Sequence, residues 1–242
     1  MTRKSTRMAA FLALTLAAAA PVALGQHAGD IWVARSGSNQ LDRAGFDIDV
    51  NLKLLSPGDG GWSDSNPGFD RLVTAQPEND LFALQSGCRI FLEAVDLDPG
   101  LIIVQIGTFQ VMDGPGDRLS LRPLGPSLHE HLLFLIDSTS PNYNANWGVW
   151  HATVRLVDTG TTAYSPSEEF TLKFINRPMA RGDMNCDGFV TVSDIGGFVQ
   201  ALISPVDYTT NFPACDYILA DVNEDTFVTV SDIGGFVTLL TS

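Results

Sequence analysis

The sequence predicts a mainly β N-terminal domain, an antiparallel sandwich, joined to a small α-helical C-terminal domain. Three observations carry this. Short runs rich in Val, Ile, Leu, Phe and Thr recur from His27 to Asn176, separated by turn clusters such as Ser56 to Gly61 and Asp113 to Gly116. In one of these runs Trp150, Ala152, Val154 and Leu156 alternate with His151, Thr153 and Arg155, the period of two of a half-buried strand. Finally, the seventeen-residue block Asp183–Val199 returns 38 residues later as Asp221–Val237. The first region shows no long helical period, which favours a sandwich or barrel over an α/β fold.

The N-terminal 25 residues read as a targeting segment. Arg3, Lys4 and Arg7 precede an Ala-, Leu- and Phe-rich run from Met8 to Ala20, and the small-residue site Ala23-Leu24-Gly25 follows. This is the pattern of a secretory signal peptide. The run falls short of the roughly 20 residues of a membrane span; an uncleaved anchor is the alternative. No later run is long enough to span, so the mature chain is expected to be secreted, either extracellular or at the cell surface. Export would place it where calcium is abundant and disulfides persist.

The β domain is expected over residues 26–178, with strands at Phe46–Leu54, Arg89–Leu97, Leu101–Met112, Leu132–Ile136, Trp150–Val157 and Phe170–Ile175. The chain divides near Arg177-Pro178, and the second domain covers 181–242.

In that domain the two blocks are identical at fourteen of seventeen positions. Each places side-chain oxygens at loop positions 1, 3, 5 and 12: Asp183, Asn185, Asp187 and Asp194, then Asp221, Asn223, Asp225 and Asp232. A 12-residue loop with this spacing wraps oxygens around a hard cation that takes 6–8 of them, which is the chemistry of Ca²⁺. The carbonyls of Phe189 and Phe227 fall at position 7, and Thr191 and Thr229 at position 9 could contribute directly or through water. Val190 and Val228 at position 8 suit a short strand pair tying the loops together. For a single loop of this kind, an Asx-turn ahead of a helix cap would be the competing explanation.

From Gly182 to Leu240 the chain resembles a type I dockerin, the two-repeat, EF-hand-like calcium module that docks secreted proteins onto cohesin domains. Asp at position 12, one helix after each loop and the C-terminal location fit, and the first loop is similar to dockerins of planctomycete-like bacteria. The resemblance implies two Ca²⁺ sites and a cohesin-like partner. Contact would be made by Val192, Ser193 and Val199 in one repeat and by Val230, Ser231 and Val237 in the other. Those valines could instead be core, and a Val/Ser pair departs from the commoner Ser/Thr. Position 6 of the second loop is Thr226 where φ > 0 is usually required, so that site is expected to be the weaker. Both helices open on glycine pairs, Gly196-Gly197 and Gly234-Gly235. Each glycine costs about 0.8–1.0 kcal/mol against Ala in a helix interior, so calcium and close helix packing must offset the loss.

Cys186 and Cys215 are the expected disulfide partners in an oxidising compartment, leaving Cys88 as a buried thiol of the β domain. The four histidines, His27, His129, His131 and His151, all lie in that domain. If His129-Glu130-His131 is extended, both imidazoles share a face, and with the other two they could form a zinc or copper site. Solvent-facing histidines without metal are the alternative. Through this His-x-His strand the region distantly resembles bacterial surface β domains.

No nucleophile elbow, His-Glu-x-x-His or phosphate loop is present. Acid/base pairs for glycoside hydrolysis could be drawn from Glu93, Glu130, Glu168 or Glu169, with nothing to select among them. Trp62, Trp147, Trp150 and Tyr143 could stack on sugar or simply fill core. The expected protein is therefore non-catalytic, a calcium-dependent docking module carrying a binding or structural β domain. The alternatives are a secreted polysaccharide-degrading hydrolase and a histidine-metal β domain.

Charge fits this division. The net charge of −14 argues against nucleic-acid or anionic-membrane partners, and loss of three basic residues with the signal segment would take it to −17. Nine acids and one base fall between Arg181 and Ser242, a density that two divalent cations would halve.

Overall fold

A computed structural model describes residues 29–46, 48, 52–58, 60–145, 147–176, 179–213 and 215–242. The N-terminal segment expected to direct export, His27 and the expected division at 177–178 lie outside the described residues. The strands are β1 (Ile31–Arg35), β2 (Leu41–Gly45), β3 (Leu52–Leu54), β4 (Ser56–Gly58), β5 (Gly61–Asp64), β6 (Phe69–Arg71), β7 (Ile90–Leu97), β8 (Leu101–Gln105), β9 (Val111–Met112), β10 (Arg118–Ser120), β11 (His129–Glu130), β12 (Leu132–Asp137), β13 (Val149–Asp158) and β14 (Phe170–Ile175). Helices α1 (Ile195–Ile203), α2 (Pro205–Asn211) and α3 (Asp232–Thr241) follow.

The mainly β class holds, but the strands form three sheets, ordered β11-β6-β1-β2, β10-β7-β13-β14-β3 and β4-β5-β12-β8-β9. Among the described residues the pairing is antiparallel except for β1 with β6 and β3 with β14. A parallel pair needs a long crossover. The chain supplies one by running through β4 and β5 of another sheet between β1 and β6. The Leu101–Met112 run is a hairpin and not one strand: Gly107 at φ 90° and Phe109 at φ 57° turn the chain between β8 and β9. The alternation predicted for β13 is present, with Trp150, Ala152, Val154 and Leu156 fully buried.

Inner faces of all three sheets meet in one core. Ile31 and Phe69 come from the first sheet, Ile90 and Ala152 from the second, Ile103 and Phe134 from the third. Phe134 stacks on Phe174 at 4.6 Å, joining two of the sheets. Full burial of each such side chain contributes roughly 1.5–3 kcal/mol.

A second core lies in the C-terminal region, formed by Met184, Cys186, Phe198, Ala201, Tyr208, Cys215, Leu219, Ala220 and Phe236. One helix follows each loop as expected; α2, between the repeats, has no counterpart in the sequence reading. Ser204 caps it by accepting from the Asp207 amide, and Pro205 occupies its first position, where no amide is needed. The predicted strand pair at Val190 and Val228 is absent among the described residues. Amides on either side of each valine donate to carboxylates of their own loop, and the valines pack into the second core instead. The glycine pairs also act differently from expectation. A Cβ on Gly197 would sit 2.8 Å from Met184 Cβ and one on Gly235 3.0 Å from Val222 Cγ1, whereas Gly196 and Gly234 face open space. Thus only the second glycine of each pair lies close against other atoms, most tightly at Gly197, and it seats the helix against its own loop.

Lys173 Nζ on β14 lies 3.0 Å from Asp216 Oδ2, linking the sheet to the C-terminal region. No helix among the described residues is long and apolar enough to cross a membrane.

Candidate metal centres

The acidic loops repeat atom for atom. In the first, the Asp183 carboxylate accepts from the amides of Asp187 at 3.2 Å and Gly188 at 2.9 Å. Asp194 Oδ1 accepts from Met184 at 2.7 Å and Asn185 at 3.1 Å, while its Oδ2 accepts from Thr191 at 2.7 Å. One carboxylate therefore ties the start of the loop to its end. In the second loop Asp221 accepts from Asp225 and Thr226, and Asp232 from Val222, Asn223 and Thr229, at 2.9–3.1 Å. Asn185 and Asn223 each donate to the position-5 carboxylate, Asp187 or Asp225, at 3.0 Å. Thr191 and Thr229 turn their hydroxyls to Ser193 and Ser231. Asp194 Oδ1 and Asp232 Oδ1 each accept two amides, whereas both oxygens of Asp183 and Asp221 and the Oδ2 atoms of Asp194 and Asp232 accept one each, which leaves lone pairs on those for a cation.

Asp183, Asp194, Asp221 and Asp232 are all buried, and among the described residues none makes an ion pair with Lys or Arg. Burial, and then the charges of Asp194 and Asp187, push the Asp183 carboxyl above its ordinary range against the opposing hydrogen bond from Gly188. Position 6 takes left-handed backbone in both loops, at φ 94° for Gly188 and φ 74° for Thr226. Tyr208 of α2 donates its hydroxyl to the Met184 carbonyl at 3.0 Å, bracing the first loop. Tyr208 carries no signal in the sequence, because the link spans two elements.

The residues named for partner contact are on the surface, not in the core. Val192 and Val230 are 77% and 78% exposed, Val199 and Val237 about half, and Ser193 and Ser231 are exposed as well. Phe189 and Phe227 project beside them, 70% and 67% exposed. Cys186 and Cys215 form the expected disulfide, with Cα atoms 5.7 Å apart. Cys88 is free and buried.

The histidines divide. His151 on β13 bonds through Nδ1 to Asp98 Oδ2 at 2.9 Å and does not join the others. His129 and His131 come together, rings 5.2 Å apart, and their companion is Asp30, which the sequence reading missed. One potential ligand atom from each of these three residues lies within 4.8 Å of the other two.

Aromatic and acidic candidates for sugar chemistry have structural positions. Trp150 is fully buried, and Tyr143 stacks on it at 6.0 Å and on Trp62 at 6.1 Å, with Trp147 tilted against Trp150. Glu93 is buried between Arg118 and Arg155. Burial pushes its carboxyl up, but the hydrogen bonds from Arg155 and Arg118 outweigh it and hold the group below its ordinary value. Glu130 takes a two-pronged bond from Arg122 at 2.7 and 3.1 Å. Glu168 and Glu169 are exposed.

Comparison with family models, with curated proteins and with solved structures gives no match.

Proposed function

We propose that this chain is an exported, non-catalytic docking protein: its two C-terminal loops bind Ca²⁺, and the surface beside them holds a cohesin-like protein domain. The β region would serve as the binding or structural cargo. The observation that carries this reading is the pair of matching loops, each with two buried carboxylates and no Lys or Arg partner among the described residues. Buried unpaired carboxylates are costly, and a hard cation bound by the same oxygens offsets that cost. The exposed Val192, Val199, Val230 and Val237, repeated with the loops, support a protein partner, since side chains of this kind cost solvent exposure without filling any core.

Calorimetry of the full chain with Ca²⁺ tests it. Two ions per chain are expected, the looser one lost in Asp221→Ala and the tighter one in Asp183→Ala. No calcium-dependent heat would end the proposal. For the partner, Val192→Asp together with Val230→Asp should abolish binding to a cohesin domain while leaving calcium stoichiometry at two.

A further inference from the structure

The first sheet places two cross-strand rows on one face. Register pairs Trp32 with Asp70 and Asp70 with His129, while Ile31, Phe69 and Glu130 form the row on the opposite face. One residue further along each strand, the same period of two brings Asp30, Gly68 and His131 level with one another. Asp30 and Asp70 are buried, and His129 and His131 are partly exposed, so the cluster opens to solvent on the histidine side.

Asp30 and His131 are each held by a hydrogen bond from or to the backbone, and His129 faces a carboxylate. The Gly68 amide donates to Asp30 Oδ1 at 3.0 Å, leaving Oδ2 3.9 Å from His131 Nε2. Ring nitrogen Nδ1 of His131 lies 2.9 Å from the Ser65 carbonyl. A carbonyl only accepts, so Nδ1 carries a proton, and Nε2 is the ring nitrogen that faces Asp30. The Nδ1 of His129 faces Asp70 Oδ2 at 3.6 Å. A carbonyl or carboxylate behind each imidazole is the arrangement that orients metal-bound histidines. Gly68 is also required: a Cβ there would lie 2.5 Å from His131 Cε1, so the ring lies flat on the strand only because that side chain is missing.

We propose that Asp30, His129 and His131 form a mononuclear site for a divalent transition-metal ion of the zinc class, with Asp70 and the Ser65 carbonyl orienting the imidazoles. Two imidazoles and one carboxylate suit Zn²⁺ and its neighbours and not Ca²⁺. Ligand atoms of a tetrahedral shell with bonds of about 2.0–2.1 Å lie roughly 3.3 Å apart, so side chains whose ligand atoms lie within 4.8 Å of one another need close by at most about 1.5 Å. Three protein ligands leave a further position open toward solvent. The site is separate in residues and donor chemistry from the acidic loops and does not depend on them.

The test is zinc calorimetry on the full chain in millimolar Ca²⁺, which keeps the oxygen-rich loops from taking zinc. One Zn²⁺ per chain is expected. His129→Ala and His131→Ala should each weaken it by more than about 100-fold. Asp70→Asn should cost the roughly 10–100-fold typical of an outer partner, with stoichiometry kept. Gly68→Ala, which pushes on the His131 ring alone, should weaken zinc without lowering the thermal midpoint in chelator. Zinc binding untouched by both histidine variants, or no stoichiometric binding at all, would overturn the proposal. Should a variant fail to fold, the wild-type chain loaded with Co²⁺ still decides it. A tetrahedral or five-coordinate visible spectrum without a thiolate band is expected, and an octahedral aquo-like spectrum would refute the site.

Discussion

Phe198 on α1 and Phe236 on α3 stack face to face, ring centroids 3.9 Å apart and planes 5° from parallel. They are the sixteenth residues of the two repeats, so the duplication builds its own core by packing a residue against its copy. Both are buried. Truncating either to alanine should cost about 3–5 kcal/mol, seen as a lower denaturant midpoint for the C-terminal region. The β region, with its separate core, should keep its own midpoint.

Thr226 holds φ 74° where the first loop has Gly188. A left-handed β-branched residue stores about 1–3 kcal/mol, against which glycine adds roughly 0.5–1 kcal/mol of chain entropy. Thr226→Gly should therefore stabilise the calcium-saturated protein by about 1 kcal/mol, and Gly188→Thr should destabilise it by at least as much. Chemical denaturation of the pair at saturating calcium measures both.

The Cys186–Cys215 bond closes a loop with a sequence separation of 29, worth about 3–4 kcal/mol in the chain-entropy view. Replacing both cysteines by serine should lower the stability of the C-terminal region by that order. It should also free the first loop at Cys186, so that calcium affinity of that loop falls more than that of the second.

Glu93 sits below its ordinary carboxyl value because hydrogen bonds from Arg155 and Arg118 outweigh its burial. Its folded pKa lies under its unfolded one, so its contribution is complete at neutral pH. That contribution begins to fade as pH falls through about 4.3 and is gone below the folded value. Glu93→Gln should cost about 1–3 kcal/mol at pH 7, modest because both guanidiniums reach solvent, and should flatten the acid limb of the stability–pH curve.

Cys88 is 2% exposed, and burial, with the Asp158 charge second, pushes its thiol up to about 11. At pH 8 it should resist thiol reagents in the native protein and react fully, at one thiol per chain, only in denaturant.

The parts legible in the sequence are those written in short range. The period of two in β13 and the loop spacing from Asp183 to Asp194 each lie within one segment, and a buried face or a loop closed on its own carboxylates follows from spacing alone. Leu101–Met112 reads as one strand because a single glycine, Gly107, marks its turn, and the other left-handed residue, Phe109, is of a type that favours strands. The Asp30, His129 and His131 cluster is half legible: His129 and His131 announce a shared face, but nothing in the sequence separates His151 from them or adds Asp30. What joins Asp30 to the histidines is β6, paired parallel with β1 and antiparallel with β11, so residues about a hundred positions apart meet across it.

By itself, then, the sequence determined which atoms each acidic loop offers, the duplication that pairs Phe198 with Phe236, and the mainly β character of the rest. These depend on local geometry, which a fixed rise and period convert directly into position. Only the tertiary structure decided that the strands divide into three sheets, that the repeated valines face solvent, and that Asp30 meets His129 and His131 over the bare backbone of Gly68. Those outcomes depend on which distant strands win one another's hydrogen bonds, a competition settled by packing of the whole core.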